Sequence, residues 1–255
     1  MLSSVANALR VLEHLVEAGE AGVSEVARNL RLTVGTAHRL IAALVDSGFA
    51  EQNPSNRRYR PGPKIVALAR KMNEGVDFIS LAHSQLERLG AAAGETVNLG
   101  VLRDESVVYI DRVTADQSLV TVSVRVGSRV PAFNTGLGKV LLAFGSEEQR
   151  KDYARRIKKI AAADGHEAPD PKKFLSMLDA VRRKGFADDE GEFHPDIGCV
   201  AAPILDAKGR VVAAVSISGL RTRVRERRDE LTGMVRLASK EISDLLATVG
   251  DEVVL

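Results

Sequence analysis

The sequence predicts an α+β protein built as two modules, a small helical one followed by a larger one around an antiparallel sheet. Three observations predict it. The apolar period is that of helices up to about residue 92 and becomes the alternation of strands from Glu95 onward. The breaker Pro61-Gly62-Pro63 interrupts the helical part. The charge is unevenly spread: the total is +2, yet residues 1–73 carry ten Lys and Arg against six Asp and Glu, leaving 26 against 28 for the rest. A +4 segment therefore precedes a −2 body, which points to a polyanionic partner for the first and a different partner for the second. The modules fall at residues 1–63 and 93–255, with linker helices over 64–92.

Composition narrows the class. With 27% charged and 45% hydrophobic residues, 21 Gly and 8 Pro, the chain is neither disordered nor fibrous. One cysteine, Cys199, excludes a disulfide framework and any multi-cysteine metal site. Aromatics are 4% with no Trp, too few for a surface that stacks single-stranded nucleic acid. No apolar run reaches the roughly 18 residues of a membrane span, and Arg10, Glu13 and Glu17 stand where a signal peptide keeps an apolar centre. A cytoplasmic protein with no membrane partner and no cofactor is expected.

In the first module Val5, Leu9, Leu12 and Val16 recur at helical spacing after Ser3-Ser4, predicting a helix over 4–17. Ser24 is read as the cap of a short helix, 25–30. After Arg31-Leu32-Thr33 a third helix runs to Asp46, with Ala37, Leu40, Ile41 and Leu44 as its inner stripe. Two short helices joined by three residues make a helix-turn-helix. Strands over 49–52 and 57–60 around Asn53-Pro54-Ser55-Asn56 then form a wing. A helix docked amino-end first in a major groove offers Thr33, Gly35, Thr36, His38 and Arg39 to the bases, and the wing lays Arg57, Arg58 and Arg60 against phosphates or a minor groove. Double-stranded DNA is the expected partner; a protein-binding winged helix is the alternative. Helices over 64–72 and 75–92 follow, the second read as a linker.

In the second module strands are expected at 97–101, 107–113, 120–126, 199–205 and 211–218, with helices at 135–144, 146–162, 170–184 and 224–249. If the turn Asp206-Ala207-Lys208-Gly209 closes its hairpin symmetrically, partners sum to 415: Leu205 faces Arg210 and Cys199 faces Ser216, with Ser218 two residues on along the same face. Pro203, lacking an N–H, implies an edge or a bulge. Thr135-Gly136-Leu137-Gly138-Lys139 opens a helix whose first N–H groups suit an anion, though it is no Walker loop, since Val140 stands where Ser or Thr would hold magnesium.

These segments resemble the IclR family of bacterial transcriptional regulators over essentially the whole chain. SSVANALRVLEHL, GVSEVARNLRLTVGTAHRLIAALVDSGF and RRYRPGPK resemble its winged helix-turn-helix in order and spacing. ETVNLGVL, VVYIDRV, VPAFNTGLGKVLLA, GFADDEGEF, CVAAPILDAKG and VVAAVSISG resemble its effector-binding domain, similar to GAF domains. The resemblance implies homodimers, often paired into tetramers, whose grip on promoter DNA is changed by a small metabolite, and it places the effector on Gly136, Leu137, Asp189, Cys199, Ser216 and Ser218. Helix-start N–H groups and hydroxyls suit a small organic carboxylate, pyruvate-sized or aromatic. Two departures stand out: Thr33-Val34-Gly35-Thr36 lacks the usual Lys and Ser, and Gly191 and Asp196 replace an expected Glu and Gly. The competing reading is a metabolite-binding enzyme, with Cys199 as nucleophile beside His194, Asp196 or Asp189 and a first module that only mediates association. The same residues also sketch a metal site, but the remaining histidines are scattered.

Overall fold

The computed structural model describes residues 3–72, 78–115 and 125–249. The chain divides into two compact units, residues 1–75 and 76–255.

In the first unit, α1 (Ser3–Ala18), α2 (Val23–Leu30) and α3 (Val34–Asp46) enclose a core of Val11, Leu15, Val26, Ala37 and Ile41, each buried; the inner stripe of α3 is as predicted, but α1 turns Val11 and Leu15 inward and leaves Val5, Leu9 and Val16 of its predicted stripe exposed. The cap of α2 is Gly22 rather than Ser24: Glu25, at the third helical position, reaches back to its N–H at 3.5 Å, so the helix starts two residues early. Thr33, the last residue of the predicted connection, caps α3, its hydroxyl accepting from the Thr36 N–H at 3.2 Å. The wing strands are shorter than predicted, β1 at Ala50–Gln52 and β2 at Tyr59–Pro61. Arg57 and Arg58 lie in the turn because Asn53 and Asn56 each accept a backbone N–H two residues on and Arg57 takes φ +58°, which ends the ladder early. Helix α4 (Lys64–Met72) follows.

The second unit is a three-layer sandwich. Among the described residues an antiparallel six-stranded sheet has the order β5-β4-β3-β8-β7-β6: β3 is Thr96–Arg103, β4 Ser106–Val113, β5 Arg129–Pro131, β6 Ala187–Asp189, β7 Ile197–Leu205 and β8 Val211–Leu220. The two edge strands, three residues each, are too short to show a period and were not predicted. The expected alternation at Val120, Val122 and Val124 lies outside the described residues, and Val126 is an exposed turn residue. One sheet face packs on α5 (Phe78–Ala93) and α10 (Arg228–Val249) through Leu86, Leu99, Val215, Ile217, Leu231 and Val235. Helix α5 is thus no free-standing linker: Phe78, Ala82, Leu86 and Leu89 belong to this unit's core. The other face carries α6 (Gly136–Phe144), α7 (Glu147–Ala163) and α8 (Pro171–Lys184) over Leu137, Leu142, Tyr153, Ile157 and Leu178. The predicted helix over 224–249 is two helices, α9 (Arg221–Glu226) and α10, parted at Arg227, whose guanidinium donates to Ala93 O at 2.8 Å and pairs with Glu230. No helix of the described residues is long and apolar enough to cross a membrane.

Hairpin β7–β8 differs from the predicted register by two residues. Asp206 N–H donates to Arg210 O at 2.9 Å and Gly209 takes φ +74°, so three residues close the loop in place of two. A further irregularity falls between Ile204 and Leu205. Leu205 therefore faces Val211, Cys199 faces Ser218, and Ser216 faces Ala201. A two-residue slip preserves parity, so the three side chains stay on the intended face. Pro203 pairs with Ala214 on one side and on the other extends beyond the three residues of β6, an open edge where no N–H is needed.

Candidate functional site

The polar stripe across the α6 side of the sheet follows from register. Asp189, Cys199, Ser218 and Thr96 lie abreast on β6, β7, β8 and β3; Ala201, Ser216, Asn98 and Arg112 lie abreast on β7, β8, β3 and β4. Each strand step is about 4.8 Å. Helix α6 ends over this stripe, with Thr135 capping it through Gly138 N–H at 3.2 Å. An added Cβ at Gly136 would stand 2.7 Å from Cys199 Sγ, so only glycine lets the helix start approach β7 so closely.

Between stripe and helix lies a cavity in which the centre of a water molecule can range over about 40 Å³, room for roughly three waters. All six residues carried over from the family resemblance line it: Gly136, Leu137, Asp189, Cys199, Ser216 and Ser218. So do Thr135, which opens the helix-start segment singled out above, and five residues the sequence reading missed, Asn98, Tyr109, Arg112, Phe193 and Ile197. Asn98 had a readable signal, a polar residue in the alternating run 97–101, and its amide donates to Ser218 Oγ at 3.0 Å. Tyr109 and Arg112 did not, being three apart on one strand. Ile110 is bulged out of the ladder, since Leu99 pairs with Asp111 but Gly100 with Tyr109, and the bulge turns both onto the cavity face.

The cavity is electrostatically polarised. Burial pushes the Asp189 carboxyl up to about 6, even though its Oδ1 accepts from the N–H groups of Gly191 (3.0 Å) and Glu192 (2.7 Å). Burial also lowers the Arg112 guanidinium and raises the Tyr109 phenol, which stays a neutral donor. Arg112 enters from β4 and Asp189 from β6, four strand steps apart, so a cation and a readily protonated acid face one space from opposite ends. Cys199 is buried and its thiol is pushed far up, first by burial and then by Asp189. That is the reverse of what a nucleophile needs. His194 and Asp196 do not line the cavity; His194 Nδ1 accepts from the Asp196 N–H at 3.3 Å in the loop after β6. Gly191, one of the two departures, has φ +100°, a conformation in which a Glu would be strained.

In the first unit the predicted DNA-facing residues divide into two sets. Gly35, His38, Arg39 and Arg57 are exposed, and neither Arg39 nor Arg57 makes an ion pair among the described residues. Open space surrounds Gly35, and Val34 beside it is 56% exposed. The others are engaged internally. Thr33 and Thr36 hydrogen bond to each other at 2.8 Å in the cap. Arg58 pairs with Glu25 at 2.7 Å and donates to Glu20 O at 3.0 Å, clamping the wing to α2, and Arg60 pairs with Glu51 across β1–β2 at 2.7 Å.

Comparison with known proteins agrees over both units. The family described as "Bacterial transcriptional regulator IclR C-terminal" matches residues 71–244, and the "IclR helix-turn-helix domain" matches residues 4–54. The HTH-type transcriptional regulator KdgR of Dickeya chrysanthemi is 31% identical over 95% of this chain and 79% of its own. A crystal structure of the Thermotoga maritima IclR, 30% identical, superposes with a TM-score of 0.77 over 97% of this chain and all of that one. An IclR homologue from Microbacterium hydrocarbonoxydans, crystallised with 4-hydroxybenzoate, shares the fold at a TM-score of 0.74 and 23% identity, over 96% of this chain and 99% of that one.

Proposed function

Because the chain belongs to the IclR family and is a transcriptional regulator with a helix-turn-helix and an effector-binding domain, we propose which residues do its work. Residues 1–63 bind promoter DNA, with Arg39, His38 and Gly35 at base edges and Arg57 on the backbone. Thr33, Thr36, Arg58 and Arg60 hold helix and wing in position for them. The inner cavity takes a small hydroxylated organic acid, its carboxylate on Arg112 and its hydroxyl toward Asp189, with Ser216, Ser218 and Asn98 along its length. The observation that most supports this is the cavity's polarity, a partly buried arginine at one end and an acid poised near neutrality at the other. The second domain senses rather than catalyses, in keeping with the unactivated Cys199 thiol and the regulators it is similar to.

The protein works in the cytoplasm as a homodimer or a dimer of dimers, and an unpartnered apolar stripe on α1, Val5, Leu9 and Val16, each more than half exposed, is a face a second copy would cover. Acid binding favours one packing of the paired domains and so changes DNA affinity by linkage. A thermal-shift screen of organic acids, from pyruvate to 4-hydroxybenzoate, tests the cavity. A stabilising acid should lose its effect in Ser216→Ala with Ser218→Ala; equal shifts in both proteins reject the assignment.

A further inference from the structure

Beside the inner cavity lies an open groove of about 670 Å³ in the same measure, reached by Asn134, Lys139, His166 and Glu192 with Phe133 and Phe174 as its apolar sides. The two spaces share their partition. In the segment before α6, Asn134 lines the groove while Thr135 and Gly136 line the cavity; after β6, Glu192 lines the groove while Asp189 and Phe193 line the cavity. Besides the bonds from Gly191 and Glu192 N–H to Asp189, two contacts of Glu192 tie the loop to the α6 side of the partition. Its carboxylate pairs with the Lys139 ammonium, and its carbonyl accepts from Asn134 Nδ2 at 3.4 Å. The pair is asymmetric: the Lys139 side chain is 6% exposed and is tethered to Asp188 O at 3.0 Å, whereas that of Glu192 is 52% exposed. The cation is fixed and needs an anion beside it, while the half-exposed carboxylate can move into water provided another carboxylate takes its place. Asn134 is 4% exposed, and its Oδ1 finds no hydrogen-bond donor among the described residues.

We propose that this groove is the antechamber of the inner cavity, a second binding site for a small hydroxylated carboxylate, in which Lys139 exchanges the Glu192 carboxylate for that of the incoming acid and so frees the loop 190–196 to swing aside. The proposal rests on the reading of the inner cavity as an acid site. It accounts for the narrowness of that cavity, where the centre of a water molecule ranges over only about 40 Å³ and a moving wall would add room. Lys139 stands between the two spaces, since its charge is felt by both Asp189 and Cys199 on the inner side. Asn134 Oδ1 offers an acceptor for the acid's hydroxyl on the way, and Gly191, at φ +100°, gives the loop a backbone joint.

Cys199, the one cysteine of the chain, lines the inner cavity, so its reaction with thiol reagents reports access with no knowledge of the acid. The probes are the anionic 2-sulfonatoethyl and the cationic 2-(trimethylammonio)ethyl methanethiosulfonates, applied to the full-length protein; the ratio of their rates cancels the reactivity of the thiol itself. The anionic reagent is expected to react faster. Glu192→Gln, a change at a half-exposed position, should raise the anionic rate about tenfold and widen the ratio, and Lys139→Met should bring the ratio to about one or below. Equal rates for both reagents in the unsubstituted protein, an unchanged anionic rate in Glu192→Gln, or rises that are the same for both reagents and follow a lowered Tm would overturn the antechamber. A labelling pattern as expected, alongside acid-induced thermal shifts indifferent to Arg112→Gln, would instead sink the reading of the inner cavity and leave the route standing.

Discussion

The two units carry their arginines in opposite ways, and the contrast separates their tasks. In the first, Arg39 and Arg57 are exposed and make no ion pair among the described residues, where a guanidinium meets a polyanion at long range. In the second, Arg112 lines a cavity where burial disfavours its charge, and an anion entering that cavity would favour it. One pattern suits a rapidly found, salt-sensitive partner, the other a small ligand selected by charge at close range.

The largest effect is expected at Arg112. Arg112→Gln keeps a hydrogen-bond donor and removes the charge, and should weaken the acid that gives the greatest thermal shift by about 100-fold, in line with the cost of leaving a desolvated carboxylate unpaired. Isothermal titration measures it. DNA affinity of the unliganded protein should not change; a full loss of DNA binding would show that Arg112 holds the fold together and would erase the contrast. Next is Arg39→Ala, where loss of a base-edge contact should cost about 30-fold in affinity for the DNA upstream of the protein's own gene, with Tm unaltered. Affinity within twofold of the original would remove Arg39 from the interface.

These two arginines also mark what a sequence can disclose. The exposed face of α3 was legible because its stripe is local: Ala37, Ile41 and Leu44 follow the period of one helix, which leaves Gly35, His38 and Arg39 outside, whereas the cap of α2 and the inner face of α1 were misread. The face carrying Cys199, Ser216 and Ser218 was legible too, because a two-residue slip does not change parity, although the partner of each was misassigned. Arg112 was not legible. A regular strand puts residues three apart on opposite faces, and nothing in Val107 to Val113 announces that Ile110 will bulge; the bulge is settled by pairing with β3, some ten residues away. Arg58 failed in the other direction. Its charge was plain, but the two glutamates that occupy it, Glu20 and Glu25, are more than thirty residues earlier in the chain.

A smaller effect sharpens the second half of the contrast. Asp189 is shifted upward, so its folded-state carboxyl holds a proton at pH values where an unfolded one has lost it. Its ionisation therefore opposes folding, a cost that sets in as pH rises from about 4 toward 6. The same proton favours a bound carboxylate: neutral Asp189 repels nothing and can donate. Affinity for the acid should fall about tenfold for each pH unit above 6, and Asp189→Asn should flatten that dependence. A profile unchanged by Asp189→Asn would assign the proton to the ligand or to another group.

The smallest effect tests the first half within two adjacent residues. Arg57 and Arg58 carry the same charge in the same turn, yet among the described residues the first makes no ion pair and the second is clamped to α2. Arg58→Ala should lower the stability of the first unit by about 1 kcal/mol, since its ion pair is partly exposed and the bond to Glu20 O adds to it. Arg57→Ala should leave Tm within a degree. Of the two, Arg57→Ala is the one that should reduce the slope of log K against log salt for DNA binding, by about 1, through one lost phosphate contact. A salt slope lowered equally by both substitutions would mean that Arg58 leaves Glu25 for a phosphate when DNA is bound, and the division between positioning and contacting cations in the wing would have to be redrawn.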